Sequence, residues 1–270
     1  MGVLNVTPDS FSDGGRFLAP AAACAQAQRM LAEGAAIIDV GGESTRPGAE
    51  PVPLAEELRR VLPVIEALAG SPAVISIDTT KPEVMRAAAR AGADLINDVR
   101  ALREPGALEA ALESGCAVCL MHMQGEPRTM QQAPQYADVV KEVKAFLSAR
   151  AHACEAQGFG RQRIAIDPGF GFGKTQAHNL ELLRHLGELA QGDWPMAVGL
   201  SRKSMLGRIL GRRDGDRLAG SLALAVMAAL QDARIIRAHD VAATVEALQA
   251  VAAVAGGADA ATTEAQNIGT

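Results

Sequence analysis

The sequence predicts an α/β fold, a (β/α)8 TIM barrel formed by a single domain. Short runs rich in β-branched residues alternate with alanine-rich amphipathic stretches, and this alternation occurs eight times. No linker or shift in composition divides the chain before Gly256. Eight consecutive β/α units favour a closed barrel over an open, doubly wound sheet. We therefore assign residues 1–255 to the barrel and residues 256–270, which are small and polar, to a disordered C-terminal tail.

The predicted elements follow one another in strict order along the chain. Helix signals support them: Pro82 follows Lys81 in a first helical turn, and Gly34, Gly92 and Gly115 lie where helices should end. The expected strands are 2–5, 36–40, 74–78, 94–98, 117–122, 164–167, 196–200 and 235–239. The expected helices are 20–33, 53–69, 82–91, 105–114, 136–157, 177–190, 216–231 and 241–254.

Composition excludes several classes of partner. The formal net charge is −5 and no run of lysine and arginine stands out, so nucleic acid is not an expected partner. The longest apolar stretch, residues 218–230, is interrupted by Gly220 and Ser221 and is too short to span a membrane. No basic and apolar leader precedes the first strand. We expect a cytoplasmic protein without a membrane partner.

The four cysteines are expected to be free. Cys116 and Cys119 form a C-x-x-C pattern, but they lie in an apolar run that is typical of a buried strand. Residues three apart on a strand point to opposite faces and lie roughly 10 Å apart, which is too far for a disulfide. We interpret all four cysteines as small core residues in a reducing compartment.

Polar residues at the strand ends predict the functional site. Active sites of (β/α)8 barrels lie at the carboxyl ends of the strands, and capping of the next helix alone does not require a hydrogen-bonding residue after every strand. A single histidine at a strand end is more often structural, so His122 is not assigned to the site. The strand ends carry Asn5, Asp39, Asp78, Asn97 with Asp98, His122, Asp167, Ser201 with Arg202 and Lys203, and Arg237 with His239.

The chemistry of these residues indicates two kinds of ligand group. Asp78, Asn97 and Asp167 offer acceptors for a flat heterocycle with adjacent N–H donors, such as a guanine-like or pterin-like ring. Arg237 and His239 are two residues apart on the last strand and therefore point to the same side. Two donors placed in this way suit a phosphate or pyrophosphate group.

The polar segment NVTPDSFSDGG follows the first strand directly. Its first residue, Asn5, faces Arg237 and His239 in a closed barrel, because the first and eighth strands are neighbours. Its amide could reach either the phosphates or their Mg²⁺.

The segment DPGFGFGKT resembles a phosphate-binding Walker A loop but departs from that motif. With Gly173 and Lys174 in register the motif needs a glycine at position 168, where the chain has Pro168. A nucleotide kinase is therefore not favoured. We expect the glycines to let the backbone pass close to a bound ring, with Phe170 or Phe172 lining it.

Eight motifs in order carry a resemblance to a known family. They are GVLNVTPDSFSDGG, IIDVGGESTRPG, ISIDTTKPEV, INDV, LMHMQG, IDPGFGFGK, GLSRKSMLG and IIRAHDV. Over about residues 1–254 the chain resembles the bacterial dihydropteroate synthases. The resemblance implies a folate-pathway transferase that joins p-aminobenzoate to 6-hydroxymethyl-7,8-dihydropterin diphosphate. Pyrophosphate and 7,8-dihydropteroate would be released by a dissociative displacement.

The resemblance also implies roles for individual residues. The pterin would be bound by Asp78, Asn97, Asp167 and Lys203, with Met121 packing nearby. The pyrophosphate would be bound by Asn5, Arg237 and His239, with Mg²⁺ assisting at Asn5. The p-aminobenzoate pocket would contain Phe11, Thr45, Arg46, Pro47, Phe172, Ser201 and Lys203. The catalytic set would be Asn5, Asp78, Asp167, Lys203, Arg237 and His239.

Two loops are expected to close over the substrates. The segments NVTPDSFSDGG and GGESTRPG look like mobile catalytic loops of this family. Phe11 and Pro47 follow the ordinary family pattern in these loops, which predicts sensitivity to sulfonamides that mimic p-aminobenzoate.

The sequence also predicts an oligomeric state and leaves two alternative functions open. Residues 218–230 are apolar around most of a helix, which predicts a homodimer formed through this seventh helix and its neighbours. A pterin-dependent methyltransferase barrel would not need the Arg237 and His239 anion pair. A non-catalytic pterin-binding paralogue would be expected to carry a damaged loop, and both loops are intact in this sequence.

Overall fold

The computed structural model describes residues 1–7, 19–45, 48–211 and 217–255 of the 270-residue chain. Only the backbone of residues 19 and 20 is described. The predicted site residues Phe11, Arg46 and Pro47 and the predicted tail, residues 256–270, lie outside the described residues.

Strands and helices alternate through the described part of the chain. The strands are β1 (Gly2–Asn5), β2 (Ile37–Gly41), β3 (Val74–Asp78), β4 (Leu95–Asp98), β5 (Ala117–Met121), β6 (Ile164–Asp167), β7 (Ala197–Gly199) and β8 (Ile235–Arg237). The helices are α1 (Ala19–Ala32), α2 (Leu54–Leu68), α3 (Pro82–Ala91), α4 (Ala107–Ser114), α5 (Val139–Ala156), α6 (Gln176–Arg184), α7 (Leu186–Ala190), α8 (Ser204–Ile209), α9 (Leu218–Leu230) and α10 (Val241–Ala255). A short 3-10 turn, Arg161–Arg163, precedes β6.

Local capping explains where the helix boundaries differ from those predicted. Helix α5 begins at Val139 because the Asp138 side chain accepts a hydrogen bond from the Lys141 backbone N–H at 3.1 Å. The helix predicted over 177–190 is two helices that meet at His185, and Gly187, a poor helix former, lies just beyond the junction. Helix α8 was not predicted, because six residues are too few to show an apolar period.

The eight strands form a closed parallel barrel, which confirms the predicted fold. Strands β1 to β6 form one sheet in sequence order, and β7 pairs with β8. Isolated parallel bridges join Ile166 to Met196 and Gly2 to Ala238, so that β7 and β8 close the gap between β6 and β1. The backbone N–H of Val3 donates to Ala238 O at 3.0 Å across this closure.

The barrel interior is apolar towards the amino ends of the strands, called the lower end, and polar towards their carboxyl ends. Alternate residues on a strand point to the same face, so side chains two apart stack along the barrel axis. The lower layer on the even-numbered strands is formed by Ile37, Leu95, Ala165 and Ile235, which belong to one apolar cluster. Two residues further along the same strands lie Asp39, Asn97, Asp167 and Arg237. The main hydrophobic core fills the space between the barrel and its surrounding helices.

All four cysteines, which lie in the described part of the chain, are free. Cys116, Cys119 and Cys154 are buried, as predicted, whereas Cys24 on α1 is only partly buried because the helix is partly open to solvent there. No helix within the described ranges is both long and apolar enough to cross a membrane.

Candidate active site

An open cleft of about 340 Å³ lies at the carboxyl ends of the strands. Eight of the predicted site residues line this cleft, and they come from strands and loops distributed along the whole chain. They are Thr45, Asp78, Asn97, Met121, Asp167, Phe172, Lys203 and Arg237. Val99, Gly169, Phe170 and Gly199 complete the lining.

A buried carboxylate, Asp39, organises the floor of the cleft. Its side chain is fully inaccessible to solvent, and its Oδ1 accepts a hydrogen bond from Ser76 Oγ at 2.6 Å. Its Oδ2 accepts from Asn97 Nδ2 at 3.1 Å and from Arg237 Nε at 2.6 Å. Because the carboxylate can only accept, it orients the Asn97 amide with its oxygen turned away from Asp39.

Arg237 reaches across the barrel from β8 to carboxylates on β2 and β3. Besides its bond to Asp39, its Nη2 donates to Asp78 Oδ2 at 2.9 Å. Burial opposes the charge of Arg237, but the two carboxylates outweigh this effect and raise its pKa. Arg237 is therefore a permanent cation held at a defined position, and the guanidinium N–H groups that do not bond Asp39 or Asp78 can bind an anion.

The two carboxylates predicted to bind the ring are buried, and their protonation is perturbed. Burial and the nearby charge of Asp39 raise the pKa of Asp78 to about 7, although Arg237 opposes the shift. Burial also raises the pKa of Asp167, against the Gly169 backbone N–H, which donates to its Oδ1 at 2.7 Å, and the charge of Lys203. Buried acceptors of this kind gain most from a ligand that supplies N–H donors.

One wall of the cleft combines a cation with an aromatic ring. The Nζ atom of Lys203 lies 4.3 Å from the centroid of the Phe172 ring. This distance is within the range of a favourable cation–π interaction. Lys203 also occupies the N-cap position of α8, so its backbone is fixed by the start of that helix.

The loop between β6 and α6 is held by hydrogen bonds from its own lysine, Lys174, to its backbone carbonyls. It therefore does not form a phosphate-binding Walker A loop. The Lys174 side chain is 2 % exposed, and its Nζ donates to Gly169 O at 2.9 Å and to Phe172 O at 3.0 Å. It also contacts Nδ1 of His122 at 2.8 Å. Burial lowers the pKa of His122 to about 3, so its ring is neutral and can accept this hydrogen bond. Lys174 thus binds protein atoms rather than a ligand phosphate.

Two glycines of this loop are required by close packing within the protein. A Cβ atom on Gly169 would lie 2.0 Å from His122 O, and one on Gly173 would lie 2.2 Å from Gln124 O. Gly169 also lines the cleft, and the close approach of the loop backbone to a bound ring stays a prediction. Both glycines have positive φ angles, +68° and +61°. Close packing against the loop after β5 therefore requires them. Phe170 and Phe172 both line the cleft, in agreement with the expectation for these rings.

Ser201 and His239 form a pair beside the cleft. The Oγ atom of Ser201 lies 3.0 Å from Nδ1 of His239 and accepts from the His239 backbone N–H at 3.1 Å. Ser201 and Arg237 together line a smaller cavity between the last two strands and the helices α9 and α10. The structure thus places Ser201 next to the residues assigned to the pyrophosphate, and its assignment to the p-aminobenzoate pocket stays a prediction.

Asn5 ends β1 at the mouth of the barrel and is half-buried. It pairs with Gly41 of β2, where a Cβ atom would lie 3.8 Å from Asn5 Oδ1 and 3.6 Å from the Asp78 Cβ. Within the described residues no group of three His, Cys, Asp or Glu side chains could hold a metal ion. Mg²⁺ is an oxygen-binding cation that keeps several waters and binds substrate phosphates, so the Asn5 amide oxygen could serve as a neutral protein ligand to it.

Asp39 is a strand-end residue to which the sequence alone assigned no role. Its position carried a signal: it lies two residues after Ile37 and therefore points into the barrel with it. An acid in the interior of a buried strand needs partners inside the barrel. Lys174 was interpreted only as part of a motif, and the sequence did not indicate which way its side chain turns.

The fold and the site together define a barrel enzyme whose cleft combines acceptors for a heterocycle with donors for an anion. A family described as "Pterin binding enzyme" matches residues 1–239. The dihydropteroate synthase of Escherichia coli K12 is 56% identical over 254 residues, covering 94% of this chain and 90% of that protein. The chain therefore belongs to the dihydropteroate synthases of the pterin-binding enzyme family.

Solved structures agree with this assignment. The Yersinia pestis dihydropteroate synthase in a sulfonamide drug complex matches with a TM-score of 0.90 and 53% identity, covering 95% of this chain and 94% of that chain. The Xanthomonas albilineans dihydropteroate synthase with 4-aminobenzoic acid matches with a TM-score of 0.89 and 52% identity, covering 94% of this chain and 92% of that one. At these identities the likeness includes the sequence as well as the fold.

Proposed function

We propose that this chain is a dihydropteroate synthase. It condenses p-aminobenzoate with 6-hydroxymethyl-7,8-dihydropterin diphosphate and yields 7,8-dihydropteroate and pyrophosphate. The observation that carries the proposal is the convergence of Asp78, Asn97, Asp167, Lys203 and Arg237 on one cleft. The name of the Escherichia coli relative and the 4-aminobenzoic acid bound by the Xanthomonas albilineans protein support it.

The pterin ring binds edge-on to the carboxylates of the cleft. Asp167 and Asp78 accept hydrogen bonds from the N–H and amino groups of the ring, while Asn97 offers its amide oxygen. Lys203 donates to the ring carbonyl. The orientation of Asn97 by Asp39 supports this arrangement, because the bond from Asn97 Nδ2 leaves the amide oxygen for a ligand.

The reaction is a dissociative displacement at the exocyclic methylene of the pterin. The carbon–oxygen bond to the diphosphate breaks first, and its electron pair leaves with pyrophosphate. The aryl amine nitrogen then forms a bond to the resulting cationic methylene carbon and loses a proton to solvent. Arg237, His239 and Asn5 stabilise the departing anion, and Asp78 and Asp167 stabilise the cation.

Mg²⁺ is part of the proposal, with Asn5 as its protein ligand. When bound, the ion supplies positive charge beside the oxygens of the leaving pyrophosphate. Arg237 contributes a fixed positive charge from the protein side, because two carboxylates already hold its guanidinium in place. The leaving group is thus bound by groups that need no rearrangement when its charge develops.

The aryl amine binds on the side of the cleft formed by Phe172, Lys203 and Thr45. A flat aromatic ring can pack on Phe172, and its carboxylate is attracted by the ammonium group of Lys203. A sulfonamide carries an aryl amine opposite an acidic group and would compete for this place. The sulfonamide complex of the Yersinia pestis neighbour supports this part of the proposal.

A pyrophosphate-release assay with both substrates and Mg²⁺ tests the proposal. We expect release that depends on p-aminobenzoate and a product with the mass of 7,8-dihydropteroate. A methyltransferase barrel would release no pyrophosphate, and a non-catalytic paralogue would bind the pterin without turnover. Either result would contradict the proposed function.

We also propose that the enzyme is a homodimer formed through α9. This helix exposes Met227 at 45% and Leu230 at 64% of their surface, although its other face packs on α10 and the barrel. Apolar residues exposed together on one helix are typical of a protein interface. Sedimentation at micromolar concentration tests this proposal, and a monomer would contradict it.

A cytoplasmic location completes the proposed function. The four cysteines are unpaired, and three of them are buried, which fits a reducing compartment. Fractionation of producing cells, with enzyme activity measured in each fraction, tests this location. Activity recovered outside the cytoplasmic fraction would contradict it.

A further inference from the structure

A charged cluster outside the cleft joins α2, the start of α3 and the loop after β2. Its centre is Glu57 on α2, whose side chain is fully inaccessible to solvent. Glu57 accepts a hydrogen bond from Thr79 Oγ1 at 2.7 Å and forms an ion pair with Lys81, the N-cap residue of α3. A buried carboxylate is costly unless it is paired, and no step of the proposed reaction uses this one.

Lys81 extends this cluster to the loop after β2. We use the name β2 loop for residues 42–45, the described part of that loop. The ammonium group of Lys81 bonds Glu43 of the β2 loop as well as Glu57, so it links the loop to a rigid helix. Burial opposes the charge of Lys81, but its hydrogen bonds to the two carboxylates outweigh this effect and raise its pKa.

A second contact holds the beginning of the β2 loop. The Arg60 Nη1 donates to Gly42 O at 2.8 Å, and a Cβ atom on Gly42 would lie 2.7 Å from Val61 Cγ1. The loop therefore lies directly against α2 where it leaves the barrel. Three residues beyond Gly42, Thr45 lines the cleft. The contacts to α2 thus lie immediately before the residue that reaches the substrate site.

The same cluster is attached to the strand that carries a ring-binding carboxylate. Thr79 directly follows Asp78, and its backbone N–H donates to Asn97 O at 3.2 Å. Lys81 lies three residues after Asp78. The cluster therefore sets the β2 loop relative to the pterin side of the cleft.

We propose that Lys81 is a positioning residue that holds the β2 loop through Glu43 and so places Thr45 for binding of the aryl amine. This inference rests on the proposed function, because Thr45 is assigned there to the p-aminobenzoate side. Lys81 itself is not among the residues that line the cleft. Lys81 acts on the geometry of the β2 loop. It should therefore alter the binding of p-aminobenzoate and not the binding of the pterin diphosphate.

The test compares Lys81→Met and Glu43→Gln with the unchanged chain. We expect the KM for p-aminobenzoate to rise by up to about 100-fold, the loss that a misplacement of about 1 Å can cause at a reacting site. The dissociation constant for the pterin diphosphate should change less than twofold. Because Lys81→Met removes the link and Glu43→Gln removes the negative charge from the same link, the double variant should be no worse than Lys81→Met alone. Lys81→Arg should restore much of the affinity.

Glu43→Gln and Lys141→Met serve as controls in this test. Glu43→Gln leaves the pair of Glu57 with Lys81 intact, so it tests the link even if Lys81→Met fails to fold. Lys141→Met removes an exposed lysine on α5 that pairs with Asp138, the N-cap residue of that helix, and should change neither KM.

A measurement independent of turnover separates this inference from the proposed function. Hydrogen exchange of the backbone amides in residues 42–45 should accelerate in Lys81→Met and Glu43→Gln and remain unchanged in Lys141→Met. Unchanged exchange and an unchanged KM in Glu43→Gln would overturn the inference. An equal loss for both substrates together with a lower Tm would do the same, since it indicates a merely structural role. If the unchanged chain released no pyrophosphate, the proposed function would fail. The exchange measurement would still show whether the bond between Lys81 and Glu43 holds the β2 loop.

Discussion

Replacing Asp39 by Asn should destabilise the barrel strongly, although the two side chains have the same shape. The Asp39 Oδ2 accepts hydrogen bonds from Arg237 Nε at 2.6 Å and from Asn97 Nδ2 at 3.1 Å. An asparagine could turn its amide oxygen towards both donors and its NH₂ towards Ser76 Oγ, so these hydrogen bonds would persist. It would lack the negative charge, however, and would leave the buried guanidinium with Asp78 as its one remaining carboxylate among those described. Breaking a buried charge pair costs about 3–5 kcal/mol. We expect about 3 kcal/mol, the lower end of this range, because Asp78 still bonds Arg237 at 2.9 Å.

The assay is unfolding in urea, together with a thermal melt. For a chain of this size a loss of about 3 kcal/mol corresponds to a decrease in Tm of about 6 to 12 °C. Asp193→Asn is the matched control, because Asp193 forms an exposed pair with Arg161 at 3.2 Å and should leave Tm unchanged. If Asp39→Asn unfolded at the same urea concentration as Asp193→Asn, Asp39 would not hold Arg237 and Asn97 as described.

Three further predictions concern the ligands. Asp167→Asn should weaken pterin binding by about 1.5–3 kcal/mol, the usual contribution of hydrogen bonds to a charged group, and calorimetry showing unchanged affinity and turnover would contradict this. Affinity for the pterin diphosphate should rise as the pH increases through about 7, because burial raises the pKa of Asp78 to about 7 and protonation below that pH removes an acceptor. A titration series from about pH 5.5 to 8.5 measures this, and Asp78→Asn should remove the part of the pH dependence that is centred near pH 7. Added p-aminobenzoate should relieve sulfonamide inhibition, and Phe11→Leu should raise the inhibition constant more than the KM, because differential contacts decide specificity. If Phe11→Leu raised the sulfonamide inhibition constant and the KM for p-aminobenzoate by the same factor, the last expectation would be wrong.

The fold was predictable because its signals are local and repeated. Each β/α unit carries its own apolar run and its own helical period, and the order of eight such units leaves the closed barrel as the simplest arrangement. The helix boundaries were less predictable, because a single capping residue can shift the start or the end of a helix. Asp138 delays the start of α5 to Val139, and His185 divides one expected helix into two. Periodicity does not distinguish these residues from their neighbours.

The residues of the cleft were predictable, but the connections between them were not. Strand ends of a barrel converge whatever their separation in sequence, so residue type and position were enough to select Asp78, Asn97 and Asp167. The bond between Asp39 and Arg237 joins residues 198 positions apart and depends on barrel register. The inward turn of the Lys174 side chain depends on carbonyls that only the folded loop brings together.

The polar layer of this barrel shows a conflict between stability and function. Four charged or amide groups occupy interior positions directly above an apolar layer, where branched aliphatic side chains would pack without any desolvation cost. The raised pKa of Asp167 reflects that cost, because burial favours its neutral form. Apolar replacements of buried charged groups are often neutral or stabilising in other proteins. The charged layer is therefore explained by what it binds, and the surrounding apolar core and helices supply the stability that allows it to persist.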